Sequence, residues 1–157
     1  MSRILSIAED DPGAALQREA EAASQRATAE ARDYVLGHAA YLSSEIHDLL
    51  GGNADSPNKN EMAKRLRQGG QLLGIWDGRE FRHPKFQFTL TGQLDPCFAE
   101  LLAELPREDP TGWKRALWFY FPNELLEDRE PAAVWNEDPQ SVLDAAREEF
   151  QDADTDW

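Results

Sequence analysis

The chain has a single cysteine, Cys97, in 157 residues. That excludes an internal disulfide and leaves no thiolate cluster for a structural zinc site. The three histidines do not substitute for one. His38, His47 and His83 fall in different predicted elements with no ligand pair at i, i+4, which leaves them surface or packing roles. No stretch approaches the roughly 18 apolar residues needed to span a bilayer, and the N-terminus lacks the apolar segment of a signal peptide. The expectation is a cytoplasmic chain with no membrane partner. Also missing are a nucleophile with a positioned base, a glycine-rich phosphate loop and a carboxylate–histidine constellation. This points to a binding protein rather than an enzyme, with neither cofactor nor metal.

Positive charge is scarce as well: 16 Lys and Arg stand against 30 Asp and Glu, for a net charge of −14. Such a surface disfavours general phosphate binding, which scales with clustered cations. The distribution is uneven. Residues 1–40 carry 4 cations against 7 anions, residues 41–95 carry 7 against 7, and residues 96–157 carry 5 against 16. A neutral island therefore precedes a strongly acidic end. Against these scarcities, 41% hydrophobic residues and five tryptophans supply a core.

In chain order, residues 1–12 read as a flexible lead-in, with Asp11 placed to cap the next helix. Residues 13–42 form an N-terminal amphipathic helix, because Leu16, Ala20, Ala23, Ala27, Ala31 and Tyr34 recur at three- and four-residue steps. Its stripe is mostly alanine, which buries little area, so self-association, packing on its own domain and fraying all remain open. Residues 43–95 read as a helix-turn-helix-like module with a hairpin. Ser43 or Ser44 can cap a short helix through Ile46, Leu49 and Leu50, which Gly51-Gly52 ends. The basic stretch NKNEMAKRLRQ comes next, with Met62, Ala63 and Leu66 inward.

A recognition helix brings cations to phosphates and amides to base edges. The candidate DNA-binding residues are Asn58, Lys59, Asn60, Lys64, Arg65 and Arg67, with Gln68 a further adenine reader. A solvated helix face accounts for the same charges, but the surrounding layout favours the reader. After Gly69-Gly70, Leu72–Trp76 and Arg79–Arg82 flank Asp77-Gly78, a type I′ hairpin signal, and Arg79 and Arg82 join the candidates as a wing.

Residues 96–150 read as a small helical domain. Pro96 starts a helix with Phe98, Leu101, Leu102 and Leu105 on one face, and a second runs from Thr111 to Tyr120 before Pro122. Pro131 opens a third, and Asp138 caps the last, which turns Val142, Leu143, Ala146 and Phe150 inward. Residues 151–157 form an acidic tail ending in Trp157, either loose or a partner anchor. The fold class is thus mainly α: a winged helix-turn-helix-like module with a short β-hairpin, followed by a small C-terminal helical domain.

The segment LLGIWDGREFRHPKFQF with Gly92 and Pro96 resembles the linker motif of Xre/MbcA/ParS-type antitoxins. Trp113, Trp118, Pro122-Asn123, Leu125, Leu126, Pro131, Trp135, Asp138, Val142 and Ala145-Ala146 follow the pattern of that family's toxin-binding domain. The chain departs from the pattern in lacking a glycine near Asp128 and in its acidity. The resemblance spans roughly the last two-thirds of the sequence. It implies that the C-terminal domain neutralises a cognate toxin, typically of the NAD-consuming RES class, while the helix-turn-helix, as a homodimer, represses its own operon at operator DNA. An acidic inhibitor suits a positively lined toxin cleft. The residues assigned to that contact are Glu124, Arg129, Glu148, Glu149 and Trp157. Two alternatives are a stand-alone DNA-binding transcriptional regulator, and an acidic protein-binding module without DNA contact.

Overall fold

The computed structural model describes residues 12–155. It divides into two compact units, one up to Gly37 and one from His38 onward. The first holds α1 (Pro12–Leu36), which ends where the Gly37 amide donates to the Asp33 carbonyl at 2.9 Å. The helix stops six residues short of the expected boundary at residue 42. The reason is nonlocal: Ala40–Leu42 is claimed by a strand. Leu16 and Tyr34 of the expected stripe are exposed.

The second unit runs β1 (Ala40–Leu42), α2 (Ser43–Leu49), α3 (Glu61–Gln68), β2 (Ile75–Trp76), β3 (Phe81–Pro84) and a 3₁₀ turn at Lys85–Gln87. It continues with α4 (Pro96–Glu104), α5 (Trp113–Phe119), a second 3₁₀ turn at Glu124–Leu126, α6 (Pro131–Trp135) and α7 (Pro139–Thr155). The described chain is mainly helical, with one antiparallel sheet in the order β1–β3–β2. Tyr41 opposes His83 and Trp76 opposes Phe81. The expected modules 43–95 and 96–150 both lie within this unit.

Local chemistry sets most helix boundaries. Asp95 accepts from the Cys97 amide and Pro96 follows at N1, and Asp138 accepts from the Ser141 amide at the start of α7. The start of α5 departs from expectation. The helix begins at Trp113 rather than Thr111, and the Asp109 carboxylate accepts from the Lys114 and Arg115 amides at 3.1 and 2.9 Å. At α2 neither serine caps: Glu45 reaches back to the Leu42 amide at 2.9 Å, as in half of a capping box. The expected tail is helical as far as Thr155; Asp11 and Trp157 lie outside the described residues.

Two cores are knit together. Ile46, Ala63, Leu72 and Phe88 form the centre of the α2–α3 region, with Leu49, Leu50 and Leu66 packed around them. In the second, Phe98 stacks on Phe119 at 5.5 Å and meets Trp135 edge-on at 5.4 Å, and Phe86 meets both Phe98 and Phe119. Phe86 follows directly on the sheet, so it ties the hairpin to the helices. Truncating the fully buried Phe98 or Phe119 costs about 3–5 kcal/mol.

Glu127 and Asp128 adopt positive φ values of 58° and 63°, in the left-handed region that favours glycine. They sit in a loop closed by the Asn123–Arg129 bridge, where the Asp128 amide also donates to the Asn123 carbonyl. The pattern that the sequence resembles has a glycine near Asp128. Asp128→Gly should raise stability by about 1 kcal/mol, because the left-handed conformation is unfavourable for side chains of L residues. A urea midpoint unchanged or lowered in that variant would show that the loop is unstrained.

Candidate functional site

Helices α2 and α3 and the β2–β3 hairpin gather the predicted DNA-binding residues, but not on equal terms. Along α3, Ala63 is buried and Met62, Leu66 and Arg67 are partly buried, whereas Glu61, Lys64, Arg65 and Gln68 are exposed. The exposed set falls at i, i+3, i+4 and i+7, one stripe of the helix. Lys64 and Arg65 have no carboxylate partner among the described residues.

The preceding turn is tightly tied. The His47 ring, buried, uses Nε2 on the Asn53 carbonyl at 2.7 Å, and a Cβ on Gly52 would fall 2.4 Å from that ring. Asn58 accepts the Asn60 amide on its Oδ1 at 3.1 Å, so its side-chain oxygen helps to start α3. Asn60 is exposed and makes no side-chain cap. Lys59 pairs with Asp48 at 3.6 Å, a surface contact that is easily exchanged.

Arg67 departs from the outward role expected of it. Its Nη1 lies 3.3 Å from Ser43 Oγ and 2.8 Å from His83 Nε2, and its guanidinium sits 3.9 Å over the Phe81 ring. The helix period carries residue 67 inward beside Ala63 and Leu66, and the sheet supplies partners there. His83 is fully buried, with Nδ1 2.8 Å from the Tyr41 carbonyl. Since a carbonyl only accepts, Nδ1 carries the proton and Nε2 accepts from Arg67. A side chain at Gly74 would strike both: its Cβ would lie 2.4 Å from Arg67 Cδ and 3.2 Å from the His83 ring.

The hairpin is also displaced from expectation. Gly78, with φ +106°, is the first central residue of a turn closed by the Asp77 amide donating to Glu80. Asp77 Oδ1 accepts from the Arg79 and Glu80 amides at 2.8 and 2.9 Å. The turn therefore centres on Gly78-Arg79, one residue later than the type I′ reading, because the Asp77 carboxylate binds forward along the chain. Those backbone amides, opposed by burial, hold Asp77 at a pKa of about 2. Arg82 Nε pairs with Asp77 Oδ2 at 2.6 Å and is committed to the hairpin. Arg79, at the tip, is exposed.

The open polar set is thus Asn60, Lys64, Arg65, Gln68 and Arg79. Sequence reasoning missed the residues that hold it in place: Ser43, Gly74, His83 and Gln87. Gln87 is fully buried, accepting the Leu73 amide on Oε1 and donating from Nε2 to the Leu73 and Pro84 carbonyls. Gly74, isolated between Leu73 and Ile75, carried a legible signal, since a lone glycine in an apolar run marks close approach.

The partner-binding candidates separate in a similar way. Glu124, Glu148 and Glu149 line one groove of about 560 Å³. Arg129 is ion-paired with Glu137 at 2.9 Å and is not among the residues lining it. Trp157 lies outside the described residues.

No protein-family model matches this chain, and no curated protein matches it. Among solved structures, the chain is similar to the NMR structure of Rv2175c, with a TM-score of 0.56 at 18% identity, covering 72% of this chain and 82% of that one. The likeness is one of fold.

The His83 pocket has a measurable pH signature. Burial, reinforced by the Arg67 charge and opposed by the hydrogen bond to Tyr41, lowers the imidazole pKa from 6.5 to about 4. Between these values the unfolded chain binds a proton that the native chain does not, so stability is complete above pH 6.5 and falls as pH drops toward 4. The loss amounts to roughly 3 kcal/mol. Urea denaturation across this window should show the slope in the wild type, while His83→Gln should be less stable at pH 7 but much flatter. An undiminished slope in His83→Gln would place the titration elsewhere.

Proposed function

We propose that this protein is a DNA-binding transcriptional regulator of winged helix-turn-helix type. The observation that carries the reading is the exposed stripe of Lys64, Arg65 and Gln68 on α3, beside a hairpin whose tip bears Arg79. In this reading α3 enters the major groove, Lys64 and Arg65 contact phosphates or guanine edges, and Asn60 and Gln68 read adenine. The β2–β3 hairpin is the wing, and Arg79 reaches the flanking backbone. Arg67 and Arg82 act as supports. Three open cations make a small electrostatic footprint, so a homodimer on two half-sites supplies the affinity.

A second reading adds a protein partner, as the antitoxin resemblance implies. What favours it is that Glu124, remote in sequence, converges with the adjacent pair Glu148 and Glu149 on one groove. The C-terminal helices then neutralise a toxin whose surface is basic, while the winged module represses the operon encoding the pair.

Binding to duplex DNA from upstream of the gene, titrated over a range of salt, tests the first reading. Lys64→Ala with Arg65→Ala should weaken binding strongly with the fold intact and reduce the salt slope by about 2 for each bound protomer. Arg67→Ala should instead lower thermal stability. Unchanged DNA affinity in the Lys64/Arg65 double variant would overturn the assignment of α3. Co-purification with the product of an adjacent reading frame tests the second.

A further inference from the structure

The groove between the end of α5, the segment 121–125 and Glu148-Glu149 of α7 combines two features that rarely coincide on a surface without a partner. Its apolar part is large. Leu117, Phe121 and Leu125 are each 40–45% exposed, an uncommon concentration within nine residues of chain. Its polar part is of one sign: Glu124, Glu148 and Glu149 line it, and no lysine or arginine does. The Trp118 indole Nε1 donates to the Glu149 carboxylate, fixing the ring against the helix, and Phe150 backs it at 6.1 Å. The 3₁₀ turn that brings Glu124 and Leu125 to the groove runs directly into the left-handed residues Glu127 and Asp128. Backbone held in such a conformation recurs at binding surfaces.

We infer that this groove is a docking site for a cationic amphipathic helix of a partner protein, its apolar side chains seated on Leu117, Phe121 and Leu125 and its lysines or arginines beside Glu124, Glu148 and Glu149. Charge complementarity selects this occupant. Nucleic acid and anionic lipid are repelled by the carboxylates. A second copy meeting the groove about a two-fold axis would bring the same three carboxylates against themselves, which is destabilising. A helix with one apolar face and flanking cations satisfies both halves of the surface, in the helix-in-groove mode. The inference rests on the partner-binding reading above but does not require the partner to be a toxin.

The probe is a synthetic leucine–lysine peptide with an amphipathic helical pattern, added to the isotope-labelled full-length chain. A leucine–glutamate peptide of the same pattern and a scrambled leucine–lysine peptide serve as controls. Amide shifts should concentrate on residues 117–125 and 148–149, with neither control reproducing them. Phe121→Ser, Leu125→Ala and the pair Glu148→Gln with Glu149→Gln should each weaken binding by about tenfold, close to 1.4 kcal/mol. Glu19→Gln with Glu30→Gln, which removes the same charge from exposed positions on α1, should leave it unchanged. Absence of binding, shifts spread over the acidic surface, or equal weakening by the α1 pair would overturn the proposal. The two readings fail separately. A co-purifying partner that survives Phe121→Ser and Leu125→Ala removes the groove and keeps partner binding. A groove that takes the peptide in a chain whose operon yields no toxin keeps the groove and removes the antitoxin reading.

Discussion

The hydrogen bond from Arg67 to His83 is the contact on which the arrangement of α3 against the sheet depends. A half-buried guanidinium needs acceptors, because its charge cannot be titrated away in any ordinary range. A neutral imidazole supplies one acceptor, the Ser43 hydroxyl another and the Phe81 ring a favourable face. The imidazole offers that lone pair only because its other nitrogen donates to the Tyr41 carbonyl in β1. Four segments are therefore fixed by one polar chain: β1, the start of α2, the last turn of α3, and β3. Removing Arg67 leaves the buried Nε2 of His83 without its donor, a greater penalty than the net value of the bond, and removing His83 leaves the guanidinium one acceptor fewer. The arrangement also explains why a basic helix has fewer open cations than its sequence suggests.

A second constraint joins this region to the C-terminal helices. The outer edge of β2 is covered: the Trp76 amide donates to the Thr111 carbonyl at 2.8 Å, and the Trp113 indole donates to the Trp76 carbonyl at 2.8 Å. Backbone meets backbone there, since a Cβ on Gly112 would lie 1.9 Å from the Gly74 carbonyl oxygen. Gly74 thus admits Arg67 and His83 on one side and Gly112 on the other, and no larger residue serves both. An exposed hairpin edge is a site for unwanted strand pairing, and covering it removes the hazard. The same contact makes the hairpin and the helices one body, which a division at residue 95 does not convey.

How much of this was legible depends on the range of each interaction. Asp95 and Asp138 announce helix starts through bonds to residues two or three positions away, Pro96 and Pro131 through the fixed φ of proline at the first helical position, and all lie at the expected starts. Strand β1 was hidden because its three residues have no period of their own and pair with residues about 40 positions on. Arg67 misled for a related reason. Among Lys64, Arg65 and Arg67, charge alone distinguishes nothing, and the partners that turn Arg67 inward come from β3 and α2. Asp-Gly suggests positive φ at both positions, but only Gly78 adopts it, because the Asp77 carboxylate closes the loop one residue later. At the candidate groove, nothing in the sequence separates Arg129 from Glu124, Glu148 and Glu149, because its ion pair with Glu137 is made by the fold.

The net charge bears on the DNA-binding proposal in a way that contact geometry alone does not. At physiological ionic strength charges are screened over about 8 Å, so anions farther than that from a duplex seated on α3 repel it only weakly. Non-specific binding relies on phosphate attraction across a broad surface and is suppressed by the net negative charge. Specific binding as proposed would rely on short contacts from Asn60, Lys64, Arg65, Gln68 and Arg79 and would lose much less. An acidic body with a narrow cationic strip thus gives up absolute affinity while improving the ratio of specific to non-specific binding. For a regulator competing with a genome of non-specific sites, that ratio decides occupancy. The same acidity is then compatible with both proposed surfaces: it disfavours unselective contact at the strip and favours a cationic partner at the groove.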